Sequence, residues 1–158
     1  DFVALSYVWG NSAANLQGIR TQDGRQMLPE YCPQTIEDAI TVTKNLGFRF
    51  LWVDFFCISR DPETRHCQIA KMDLIYKTAP LTIVAAAGED SGYGLPGISR
   101  PRKKQLECQF GEEVLVSVRL DVLHDLCTSK YSTRAWTYQE RLFSERSLVF
   151  TDHQIFLE

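Results

Sequence analysis

Three stretches, "DFVALSYVWG" (1–10), "FLWVDFFCI" (50–58) and "LTIVAAA" (81–87), are almost unbroken apolar runs rich in β-branched and aromatic residues. A strand with one solvated face alternates polar and apolar positions. A run without that alternation belongs to a strand covered on both faces, as in a parallel sheet. Between the first two runs, Ile36, Ala39, Ile40 and Leu46 recur at helical spacing, and Gly47 stands where a left-handed C-cap belongs, so a helix is expected over 34–46. After the second run, "DPE" at 61–63 supplies an N-cap Asp, a proline at the first helical position and an acid in the first turn. Ile69, Met72, Ile75, Tyr76 and Ala79 would form the buried stripe of that helix, which Pro80 stops. Strand, helix, strand, helix, strand with right-handed crossovers gives an α/β fold, a mostly parallel sheet with helices on its faces.

Ligands of such sheets gather outside the carboxyl ends of the strands. Here those ends are Ser6 to Gly10, Asp54 to Cys57 and the turn "GEDSGYG" from Gly88 to Gly94. That turn is glycine-rich but has no GK[ST] ending, so it is not a Walker loop. The rest of the chain is less regular. Residues 11–33 are polar and punctuated by Gly18, Gly24, Pro29 and Pro33, with "DG" at 23–24 offering a tight turn between short extended pieces. Residues 95–131 read as an insertion or lid: a basic loop "PGISRPRKK", a hairpin from "QLECQF" and "EVLVSVRL", and a short helix at "DVLHDL". "RAWTYQE" (134–140) opens another helix, and "SLVFTDHQIFLE" alternates well enough for one or two last strands.

With 44% hydrophobic and 23% charged residues in 158, the chain can bury one core. Its formal charge of -3 provides no sequence-wide cationic field, which argues against nucleic acid and anionic membrane as partners. No stretch approaches the ~20 apolar residues of a membrane span. Cys32, Cys57, Cys67, Cys108 and Cys127 are an odd set with no CxxC pair, as expected of reduced thiols in a cytoplasmic protein without a bound metal. The chain begins with Asp, as a domain cut from a longer protein would.

Two carboxylates stand out. Trp136 and Glu140 are one helical turn apart and share a face. Burial against the indole would raise the Glu140 pKa, while Arg134 or Arg141 would lower it; alternatively, Glu140 is an exposed residue paired with a neighbouring arginine. Asp54 interrupts "LWVDFFC", where a carboxylate is costly unless paired, hydrogen-bonded or at the strand's open end, so it is a network anchor or a site residue. Together they are candidates for the carboxylate pair of a glycosidic-bond-cleaving site. Cys57 would need a base such as His66, His124 or His153 to act as a nucleophile, and a packed thiol is the simpler reading. "SRPRKK" (99–104) is a phosphate or acidic-partner contact or, more simply, a solvated loop.

Taken together, "VALSYVWG", "LWVDFFCIS", "QIAKMDLIYKTAPLTIVAAA", "GLPG" and "RAWTYQERLFSERSLVF" resemble, in order and wording, the fungal heterokaryon-incompatibility (HET) domain over nearly the whole chain. The family's "CI" block normally continues to a glutamine; here Ile58 is followed by Ser59 and Arg60. The resemblance implies a single domain over 1–158, a cytoplasmic cell-death effector, and a fold similar to the Toll/interleukin-receptor (TIR) domain, a flavodoxin-like sheet. Many TIR domains cleave the nicotinamide to ribose bond of NAD with the glutamate of a W-x-x-x-E pattern, which Trp136 and Glu140 match. It therefore implies NAD as substrate rather than cofactor, Glu140 as the catalytic carboxylate, activity favoured by self-association, and an unidentified regulatory protein or domain. From strand-end geometry, Tyr7, Trp9 or Trp136 would stack on a flat ring, Ser6 and Gly10 would give polar or close backbone contacts, and Asp54 would shape the opposite wall. The alternative is a non-enzymatic death-signalling module of the same shape.

Overall fold

The structure, a computed structural model, describes residues 1–10, 20–22, 25–118 and 122–158. In chain order the elements begin with β1 (Val3–Ser6), β2 (Arg20–Gln22), β3 (Arg25–Met27), α1 (Gln34–Asn45), β4 (Leu51–Trp52), α2 (Asp54–Cys57), α3 (Pro62–Ile69) and α4 (Met72–Thr78). They continue with β5 (Leu81–Ala85), β6 (Glu107–Phe110), β7 (Glu113–Val116), α5 (Val122–Cys127), α6 (Ala135–Phe143), β8 (Ser147–Phe150) and β9 (Ile155–Leu157). The central sheet runs β4-β1-β5-β8-β9, the first four strands parallel and β9 antiparallel at the edge. Counting only these five strands along the chain, their spatial order is 2-1-3-4-5, so the order reverses between β1 and β5.

The first and third apolar runs lie at the centre because both faces of the sheet are covered there, whereas the second supplies only the half-buried edge strand β4. Val3, Leu5, Tyr7, Ile83, Ala85 and Phe150 face one side, where they pack with Ile36, Ala39 and Val42 of α1. The alternate residues face the other side: Ala4 meets Tyr76 and Ala79 around α4, and Val8, Val84 and Val149 meet Leu126 and Tyr131. Small residues at Ala4 and Ser6, both fully buried, let α4 and α6 approach β1 closely.

The second apolar run departs from expectation. Only Leu51–Trp52 pair with β1, and Asp54–Cys57 wind into α2 instead of extending the strand. The Asp54 carboxylate accepts the Phe55 backbone N–H at 2.6 Å, and the Phe56 and Cys57 N–H groups turn back onto the Val53 carbonyl. A short acidic side chain thus offers the backbone a local alternative to the ladder. The single helix expected over 61–79 is two, since Lys71 leaves helical geometry (φ -111, ψ 12). Asp61 caps α3 through the Thr64 N–H, yet α3 buries no residue; of the expected stripe, Tyr76 and Ala79 are buried and the others half-buried. The expected hairpin within 95–131 is β6–β7, while the "DG" turn at 23–24, between the paired strands β2 and β3, lies outside the described residues. Among the described residues no helix is long and apolar enough to cross a membrane.

At the end of α1, Gly47 adopts φ +81, its N–H bonds Lys44 O and the Phe48 N–H bonds Thr43 O, which is a Schellman closure. Nothing lies within 4 Å of where a Cβ would stand. Gly47→Ala therefore meets only the backbone cost of the left-handed region, about 1 kcal/mol of stability by urea denaturation. A loss above about 3 kcal/mol would show that crowding, not conformation, fixes this position.

Candidate active site

The carboxyl ends of β1 and β4 and the start of α6 converge on a cavity of about 470 Å³. The chain leaving β1 supplies Tyr7 and Trp9, the α2 turn supplies Asp54 and Phe55, and α6 supplies Trp136, Thr137 and Glu140. Its remaining wall comes from the 58–72 segment and Arg134, including three arginines, Arg60, Arg65 and Arg134. A second cavity of about 290 Å³ adjoins it between α4 and α6, and Trp136 and Glu140 belong to the wall of both.

Glu140 is 7% exposed, although Trp136 on the same face is 54% exposed. The carboxylate is held from beneath by β1: the Ser6 hydroxyl donates to Oε2 at 2.5 Å and lies 2.6 Å from the Tyr131 hydroxyl. The Thr137 hydroxyl ties the first turn of α6 to the carbonyl of Tyr131, so the tyrosine, the serine and the helix are locked together. Burial raises the Glu140 pKa to about 7; the Ser6 hydrogen bond opposes this and the nearby Asp54 charge adds to it. Arg141 takes no part in pairing Glu140, because it forms a two-bond ion pair with Glu158. Of the two alternatives for Glu140, burial thus prevails over an exposed ion pair.

Asp54 both anchors and lines. It accepts from Phe55 N–H and from the Trp9 indole N–H at 2.9 Å, fixing the indole edge-on to Phe55 with ring centres 5.6 Å apart. Burial pushes its carboxyl up to about 6, against hydrogen bonds from Phe55 and Trp9 and the positive charge of Arg134, which lower it. Tyr7 is 4% exposed, and its hydroxyl makes no hydrogen bond of good geometry, although Asp54 lies near enough that its charge, with burial, holds the phenol far above its ordinary pKa.

The structure therefore brings Tyr7, Trp9, Asp54, Trp136 and Glu140 to one cavity and sets Ser6 directly under Glu140. Gly10 does not line the cavity. Its φ of +60 belongs to a turn so close to Asp90 that an added Cβ would meet that residue's Cβ at 2.1 Å. The Gly88–Gly94 turn is not in the wall either; the Ser91 hydroxyl donates to the Trp9 carbonyl and ties that turn to the backbone leaving β1. No histidine lines the cavity, so no cysteine–base pair forms there; Cys57 is exposed rather than a packed thiol, and its sulfur accepts the Val53 N–H at 3.4 Å. In "SRPRKK", Arg100 stacks on Tyr93 at 3.6 Å and Lys103 pairs with Asp152, both away from the site. Arg65 and Arg134 carry no sequence signal that marks them as wall residues; Arg60 is marked only by standing where the family has glutamine. No group of three His, Cys, Asp or Glu residues suited to a metal occurs among the described residues.

The sequence profile described as "Heterokaryon incompatibility protein (HET)" matches residues 2–140, which include every residue of the cavity wall. The chain belongs to the HET family. This HET domain is 29% identical over 94 residues to "Heterokaryon incompatibility protein 6, OR allele" of Neurospora crassa, a match covering 53% of the chain and 14% of that relative. The domain thus corresponds to a small part of the relative's length. No solved structure matches it.

Proposed function

We propose that this HET domain is a NAD glycohydrolase acting in the cytoplasm as the cell-death effector of fungal heterokaryon incompatibility. The observation that carries the reading is the Glu140 carboxylate, buried, hydrogen-bonded by Ser6, and shared by the walls of two cavities beside the carboxyl ends of β1 and β4. The 2-1-3-4-5 order is the flavodoxin-like one, and it supports the likeness to TIR domains that the W-x-x-x-E spacing of Trp136 and Glu140 suggests.

The chemistry suits such a group. As the bond between ribose C1′ and the pyridinium nitrogen breaks, its electron pair goes to nitrogen, nicotinamide leaves neutral, and positive charge develops on the ribose. A fixed carboxylate in a site of low polarity stabilises that cation. Water then bonds to C1′ and releases a proton, giving ADP-ribose; attack by the substrate's own adenine instead gives a cyclic product. The cationic substrate itself favours ionised Glu140, because a nearby positive charge lowers a carboxyl pKa.

Incubation of the domain with NAD at high protein concentration is expected to release nicotinamide, with loss of release in Glu140→Ala at unchanged circular dichroism. Nicotinamide release that survives Glu140→Ala would overturn the reading. Because kcat/KM reports the free enzyme, it should rise through pH about 7, while the corresponding limb of kcat should lie at lower pH. A profile flat from pH 5 to 9 would contradict the role of Glu140.

One observation favours a second reading, a death-signalling module that works by recruitment. Every residue of β6 and β7 is exposed, with Phe110 73% and Leu115 57% accessible, and an isolated two-stranded ribbon is marginal unless covered. On that reading, cell killing survives Glu140→Ala without NAD loss and fails when the hairpin is made polar.

A further inference from the structure

The two cavities share Ile69, Met72, Trp136 and Glu140, but beyond that common wall their charges are opposite. The larger holds the three arginines against one carboxylate, Asp54. None of the three forms an ion pair among the described residues, and Arg60 and Arg65 are exposed while Arg134 is half-buried. The smaller holds Asp73, Gln139 and Phe143 and no cationic residue. In the larger cavity Tyr7 is 4% exposed, and its hydroxyl lies close to the Asp54 carboxylate without a hydrogen bond of good geometry.

We propose that the two cavities divide one dinucleotide by charge: the larger takes its anionic diphosphate on Arg60, Arg65 and Arg134, and the smaller takes its cationic pyridinium ring. This rests on the glycohydrolase reading and extends it by fixing which way the substrate lies. Guanidinium groups suit phosphate oxygens because their donors match them in pairs. A flat cation suits the face of Trp136 and the field of Asp73. The C1′–N bond then falls at the boundary between the cavities, where Glu140 is, and the Tyr7 hydroxyl is a donor for an oxygen of the bound nucleotide.

The division also sorts the products. Cleavage moves the bonding pair onto the ring nitrogen, so the base loses the positive charge that held it in the smaller cavity. ADP-ribose keeps both phosphates and remains bound to the arginines. Nicotinamide leaves readily, and ADP-ribose is the inhibitory product.

Calorimetric titration of the HET domain with NAD and with ADP-ribose, which lacks the ring, tests the assignment. The double variant Arg60→Gln/Arg65→Gln should raise Kd for both ligands by about tenfold or more, in keeping with charge-assisted hydrogen bonds. Asp73→Asn/Phe143→Ala should raise Kd for NAD about fivefold and leave ADP-ribose within twofold. Both pairs are at the surface, so the fold should tolerate them. The assignment falls if the arginine variant leaves ADP-ribose within twofold, if the second variant weakens both ligands alike, or if the wild-type domain binds neither. The expected binding pattern without nicotinamide release would overturn the glycohydrolase reading alone; Glu140-dependent release with the wrong pattern would overturn the assignment alone.

Discussion

Glu140→Gln should lower the rate of nicotinamide release by about 10²–10³, the usual cost of removing one preorganised electrostatic group from a reaction centre. The substitution changes charge and little else. The amide oxygen can still accept from Ser6, whose hydroxyl also contacts Tyr131, so the link between β1 and α6 survives. What disappears is the negative charge that meets the ribose as it becomes cationic. Because that charge matters most in the transition state, kcat should fall while KM for NAD changes by less than about threefold. A large rise in KM at unchanged kcat would instead make Glu140 a binding residue. Single-turnover nicotinamide release, followed beside the melting curve of each protein, separates these outcomes from unfolding.

The parallel sheet was legible because its signal is collective. The runs around Val3 and Leu81 are strands covered on both faces, whereas the run around Leu51 gives only a half-buried edge strand, and the capped pattern ending at Gly47 cannot be a strand at all. Asp54 was legible as an anomaly but not in its form, since only the folded chain shows its carboxylate turning the backbone into α2 and holding Trp9 by the indole N–H. The break at Lys71 left no mark, with neither proline nor glycine beside it. Glu140 shows the limit of spacing most clearly. An i, i+4 pair fixes a shared face, yet Trp136 remains largely exposed while Glu140 is buried, because β1 and Tyr131 lie under one and not the other. Likewise Arg65 and Arg134, far apart in sequence, come to line one cavity only through the crossover of α3 and the approach of α6. Such long-range convergence has no local period to read.

The domain should become less stable as pH rises from about 4 to about 8, in contrast to proteins whose carboxylates are paired. Burial holds Glu140 near 7 against an ordinary 4.5, and Asp54 near 6 against 3.8. Between those limits the native state binds more protons than the unfolded chain, so each ionisation works against folding and the stability they permit at low pH is progressively lost. At about 1.4 kcal/mol per pKa unit, each group costs about 3 kcal/mol by pH 8. The opposite sign holds for Asp152 and Glu158, lowered by hydrogen bonds from Lys103 and Arg141 against some burial; their contribution is lost as pH falls below the ordinary carboxylate range. A stability maximum near pH 4 follows. In urea denaturation, Asp54→Asn/Glu140→Gln should match the wild-type domain near pH 4 and exceed it by several kcal/mol at pH 8, with a nearly flat dependence between. Equal slopes for the two proteins would mean that these carboxyls ionise freely in the native state, and the destabilised, poised site described for Glu140 would have no basis. The same measurement thus links stability to the proposed function: the free energy the fold forgoes at neutral pH is what keeps two carboxyl groups in a hollow, as the role proposed for Glu140 requires.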